Sequence, residues 1–134
     1  MPKVRYNCSS CHSVLDAEVV QFDEDGVAAW CASYLCEECG QISERDEGAQ
    51  GLPSDDLRIK LLRAEGNFAL RIEGSISERE FQNLLAEAFA ASDKRASVMI
   101  EDVCGIAFRG TREECELLER ALQRDGVAAR VERA

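Results

Sequence analysis

Four cysteines in two matching pairs carry the clearest chemistry in the chain. C-S-S-C-H spans Cys8–His12 and C-E-E-C-G spans Cys36–Gly40, so the layout is C-x2-C-x24-C-x2-C. Each C-x-x-C turn offers two thiolates, and two such turns supply the four soft ligands of a tetrahedral zinc site. C-S-S-C-H alone also has the form of a c-type haem attachment site. That chemistry needs an oxidising compartment and a leader segment. It would also take His12, the sole histidine, and leave Met1 or Met99 as the thioether ligand. The paired spacing favours zinc on Cys8, Cys11, Cys36 and Cys39. Four thiolates leave no open position for water, so the expected ion is structural. His12 then reads as a surface residue after its knuckle. Cys31 lacks a partner at knuckle spacing and reads as a small buried hydrophobe beside Trp30.

The elements between the pairs must bring them together. SVLDAEVVQF is rich in valine, DEDG is a turn, and VAAWCASYL returns, which predicts a β-hairpin. A segment of about forty residues also needs its metal to fold. Residues 5–42 resemble the zinc-ribbon family through Cys8, Cys11, Cys36 and Cys39. The resemblance implies a ribbon fold and bound Zn2+. It does not name a partner, because that family includes both nucleic-acid and protein binders.

Charge narrows the partner. The 134 residues hold 26 acids and 16 bases, a net charge of −10. Residues 1–50 hold ten of the acids and three of the bases (Lys3, Arg5 and Arg45), a net of −7, which leaves −3 for residues 51–134. Such a surface repels phosphate backbones, so nucleic acid is disfavoured as a partner. An acidic docking face for a basic protein fits better. No apolar run approaches membrane-spanning length, and MPKVRYNC has no signal-peptide core. The expected location is the reducing cytoplasm, where seven cysteines serve as metal ligands or free thiols.

Residues 43–56, with charge, two glycines and a proline, read as an acidic linker. Beyond it, LRIKLLR and FALRIE alternate as the two strands of a hairpin. Phe81, Leu84, Leu85, Ala88 and Phe89 fall on one face of a helix begun by Ser77 and Glu80. ASVMIEDV reads as a central strand that GIAF continues after a bend. Thr111 and Glu114 open a second helix with Cys115, Leu118 and Leu122 on its inner face, Gly126 ends it, and VAARV forms a last strand. Cys104 and Cys115 both read as core. The expected fold is α+β or α/β: a ribbon over 1–42, then a ββαβαβ domain over 57–134. Its last two strands should be parallel, joined through the helix.

Gly74 and Ile76 before the first helix, the run EDVCGIAF, and Gly126 with VAARV are similar to the STAS domain of anti-sigma-factor antagonists. The resemblance implies a signalling module whose regulatory contact is the turn at Arg109, Gly110, Thr111 and Arg112, with Thr111 at the phosphoacceptor position. Gly110 stands where that family has aspartate, and Glu113 where it has glycine. Enzyme motifs such as G-x-S-x-G or a P-loop do not occur. The chain is therefore expected to be a non-catalytic regulatory or adaptor protein that docks a partner protein or a second copy of itself. The alternative is a transcription-related accessory factor whose ribbon binds nucleic acid.

Overall fold

The computed structural model describes residues 2–134, apart from the side chains of Arg45 and Asp46. The fold class is the expected one. A strand-rich N-terminal region precedes a sheet-and-helix part, and both sheets are antiparallel.

Strands β1 (Lys3–Asn7), β2 (Val14–Glu24), β3 (Val27–Leu35) and β4 (Ile42–Gln50) form one sheet in chain order. Asp25 and Gly26 make the β2–β3 turn with φ of 54° and 88°. A two-residue hairpin loop needs this left-handed pair to match the strand twist. One face of the sheet buries Val4, Ala17, Val19, Ala32 and Tyr34.

The stretch expected to be an acidic linker is ordered. Its first residues belong to β4, and Ser54 near its end caps a helix. β4 has no apolar alternation to announce it, because it is an edge strand held by backbone pairing to β3. Edge strands accept charged side chains, which discourage pairing with other chains.

LRIKLLR, expected as a strand, lies in helix α1 (Asp55–Glu65). Leu57 and Leu61 sit one turn apart and are buried, whereas Ile59 faces solvent. The Ser54 hydroxyl accepts from the Leu57 amide at 3.3 Å, and Asp55 and Asp56 complement the helix N-terminus. Next come β5 (Phe68–Ile72), α2 (Glu78–Ala88) and α3 (Asp93–Met99). The expected strand ASVMIEDV is thus the end of α3 and an irregular segment. Ala96 is buried there and Val98 is 76% exposed, a one-sided helical pattern. β6 (Ile106–Gly110), α4 (Arg112–Arg124) and β7 (Ala129–Arg133) complete the chain. The order is αβααβαβ in place of ββαβαβ. β5 is the central strand, antiparallel to β6 on one side and β7 on the other. The last two strands therefore run parallel but are not neighbours.

The two halves interlock. Leu57 and Leu61 of α1 pack into the core of the first sheet, beside Cys8 and Cys36. Ala28 and Leu52 pack into the second core with Leu70, Phe81, Leu85 and Phe108. Between them lies Glu114, 1% exposed. Its carboxylate accepts from Arg58 Nη2 at 2.7 Å, Arg58 Nε at 3.0 Å, Gln21 Nε2 at 2.7 Å and the Thr111 amide at 3.1 Å. A buried charge is tolerated only with this degree of pairing. No helix among the described residues is long and apolar enough to cross a membrane.

Candidate metal centre

The loops between β1 and β2 and between β3 and β4 bring the four sequence-paired cysteines together. The sulfur atoms of Cys8, Cys11, Cys36 and Cys39 all lie within 4.8 Å of one another. Cys8 Sγ is 3.6 Å from Cys39 Sγ, and Cys11 Sγ is 3.6 Å from Cys36 Sγ. A tetrahedral ion with metal–sulfur bonds of ~2.3 Å places its sulfurs ~3.8 Å apart. The cluster therefore has the size of a metal site, and all seven cysteines are free of disulfides.

The two knuckles repeat one backbone design. The Cys8 amide donates to the Ser13 carbonyl at 2.9 Å, and the His12 amide returns to the Cys8 carbonyl at 2.9 Å. In the second knuckle the Cys36 amide donates to Gln41 at 2.8 Å and the Gly40 amide to Cys36 at 2.8 Å. His12 and Gly40 occupy the same place, with φ of 63° and 77°. His12 is thus a turn residue with an exposed ring, as expected of a surface position. One cysteine of each knuckle, Cys8 and Cys36, faces the core, and Cys11 and Cys39 face solvent.

Local dipoles prepare the thiols. The Cys11 amide lowers the Cys8 thiol, and the Ser13 hydroxyl and amide bring Cys11 down to about 6. At Cys39 the Gln41 amide pulls downward, but burial and the three neighbouring cysteines outweigh it and hold the thiol at about 12. Four sulfurs this close resist carrying four charges, and a bound cation removes that resistance.

A polar brace that sequence reasoning missed ties the first knuckle to the sheet. The Ser9 amide and hydroxyl meet the Tyr34 hydroxyl at 3.2 Å and 3.1 Å. Tyr34 donates to Glu47 on β4, and Tyr6 donates to the same carboxylate at 2.8 Å. Burial works to raise the Glu47 carboxyl, but hydrogen bonds from Ser9, Tyr34 and Tyr6 prevail and hold it below the ordinary range. Burial first, and Glu47 second, push the Tyr34 phenol up. Tyr6 moves the same way for the same reasons. Across the knuckles, Ser10 Oγ donates to Gln41 Oε1 at 3.2 Å. Only Tyr34 in an otherwise Val- and Ala-rich hairpin, and Tyr6 just before the first knuckle, hinted at this brace.

The second expected site does not assemble as a surface. Arg109 and Arg112 are exposed, but Gly110 and Thr111 are buried. Arg109 pairs with Glu101 at 2.8 Å, and the Arg112 guanidinium lies 4.8 Å from the Phe68 ring centroid. The Thr111 hydroxyl is 0% exposed, donates to Gln21 Oε1 at 2.6 Å and accepts from the Glu114 amide at 3.3 Å. Both of its roles are taken, and β2 closes over it, so this hydroxyl is a helix cap rather than an accessible phosphoacceptor. The turn follows β6, which is an edge strand and not the continuation of a central strand that GIAF was expected to be. Cys31 and Cys115 are buried as expected, with burial lifting the Cys115 thiol to about 12. Cys104, expected in the core, is not buried. It is exposed, because its segment is a turn with φ of 54° rather than a strand end.

Comparison of the chain with known protein families, curated proteins and solved structures returns no match.

Proposed function

We propose that this is a zinc-binding, non-catalytic protein that works in a reducing compartment by holding a partner protein. The observation that carries the reading is the closed set of four cysteine sulfurs. Zinc suits four thiolates in a tetrahedron, and a sphere filled by protein ligands leaves no position for substrate or activated water. When bound, the ion supplies cross-linking of β1–β2 to β3–β4. The chain's own part is to preset the sulfurs through the paired knuckle turns and the Ser9–Tyr34–Glu47 brace. The sole histidine, exposed on a knuckle turn, serves backbone geometry and not acid–base chemistry. Nucleic-acid binding by the ribbon is the weaker reading, because residues 1–50 set three bases against ten acids.

Metal analysis of purified full-length protein tests the site. About one zinc per chain is expected, as one four-thiolate centre requires. Cys11→Ser with Cys39→Ser should abolish it while leaving the two buried cysteines in place. A fully folded chain that holds no metal, or that holds iron in preference to zinc, ends the zinc reading.

A further inference from the structure

Three aliphatic side chains stand exposed at the metal end of the first sheet: Val14 at 63%, Leu35 at 60% and Ile42 at 57%. They are the first residue of β2, the last of β3 and the first of β4. Leu35 and Ile42 are direct cross-strand partners. Leu35 lines two surface depressions. One, of about 360 Å³, is shared with Val14, Glu37 and Glu38. The other, of about 450 Å³, is shared with Ile42, Glu18 and Ser33. Strand alternation puts this face opposite the one that buries Val4, Ala17 and Tyr34 against α1.

The charge around Leu35 is mainly acidic. Glu37 and Glu38 are exposed within the second knuckle, and Glu18 lies on β2. None of the three has an ion-pair partner among the described residues. Of the nearby bases, Arg5 is engaged with Asp16 at 3.7 Å, and Lys3 stands across from Glu18 in the β1–β2 register without forming an ion pair with it. A four-thiolate zinc centre would add a net charge of about −2 beside them.

We propose that this face docks a basic segment of a partner protein. An aliphatic side chain of that segment packs beside Leu35, and its lysines or arginines meet Glu18, Glu37 and Glu38. The inference rests on the adaptor reading above and assigns it a surface and a partner chemistry. Apolar anchors inside a charged rim give affinity and register together. A second copy of this chain fits poorly, since a contact between two such faces would bring two mainly acidic surfaces together. Anionic membranes and nucleic acids meet the same repulsion.

Site-specific photo-cross-linking in cells of the source organism tests it, with full-length protein carrying Ile42→benzoylphenylalanine or, as control, Val98→benzoylphenylalanine. Val98 is exposed on α3. The expected result is a cross-link from position 42 whose captured peptide, sequenced by mass spectrometry, holds Lys or Arg beside an aliphatic residue. Adding Glu37→Lys and Glu38→Lys should reduce its yield at least about tenfold, with the metal retained. Capture only through position 98, capture of an acidic segment or a second copy of this chain, or indifference to the charge reversal overturns this surface and leaves the adaptor reading standing. No protein captured at either position removes the adaptor reading, and the proposal with it.

Discussion

His12 and Gly40 do the same job in the two knuckles, and only one of them is suited to it. Both hold a left-handed backbone, with φ of 63° and 77°. That conformation costs an ordinary L-residue about 1–2 kcal/mol, and glycine avoids the cost. Glycine loses part of the gain through the entropy of its unfolded state, about 0.4–1 kcal/mol. His12→Gly is therefore expected to stabilise the metal-loaded protein by about 0.5 kcal/mol with metal affinity unchanged. His12→Val, whose β-branch resists this conformation, should cost at least about 1 kcal/mol. Urea denaturation with parallel zinc competition measures both. A loss of metal affinity in His12→Gly would show that the imidazole is a ligand after all. The C-x-x-C-H string fits haem only while the first knuckle is read by itself. The matching glycine in C-E-E-C-G reveals the fifth position as a turn residue, a comparison the sequence already permitted.

At the scale of elements, local signals were legible and distant ones were not. The β2–β3 hairpin, α2 and α4 follow from turn residues, caps and apolar periodicity, all within a few positions. The capping box of Thr111 and Glu114 is present as the sequence indicated. Its second use was hidden, because Arg58 and Gln21 lie 56 and 93 residues from Glu114. α1 was obscured by the alternation of Leu57, Ile59 and Leu61, although Ser54 followed by two aspartates marks a helix start. The buried pair makes this helix testable. Glu114→Gln keeps a capping-box residue but removes the charge opposite Arg58. Leaving that guanidinium in a largely buried site (its side chain is 18% exposed) should cost about 3 kcal/mol. Adding Arg58→Met should recover more than half of the loss. Denaturation midpoints for the two singles and the double close the cycle. A cost below about 0.5 kcal/mol for Glu114→Gln would place the pair among ordinary surface bridges and refute its role as a joint.

Over the whole molecule, the boundary that composition suggests is not a boundary in packing. The change from acidic to nearly balanced charge falls between β4 and α1, yet α1 turns back to cover the first sheet. The sequence could not show this, because the pairing that makes β4 and the docking of α1 depend on surfaces far apart in the chain. A fragment of residues 55–134 tests the consequence. It keeps the core of Leu70, Phe81, Leu85, Phe108, Leu118 and Leu122 but loses Ala28, Leu52 and Gln21. It also strips Leu57 and Leu61 of their cover, which removes on the order of 2 kcal/mol of burial each. An isolated helix as short as the 11 residues of α1 does not hold its structure in water. In the fragment the α1 amides should therefore exchange hydrogen as fast as an unstructured chain, and the denaturation midpoint should fall well below that of the full-length protein. In the full-length protein, chelating the metal should lower α1 protection as well, since Leu57 and Leu61 share a core with Cys8 and Cys36. If α1 stays protected in the fragment and the midpoint is unchanged, the two halves are independent and the shared core contributes nothing to either.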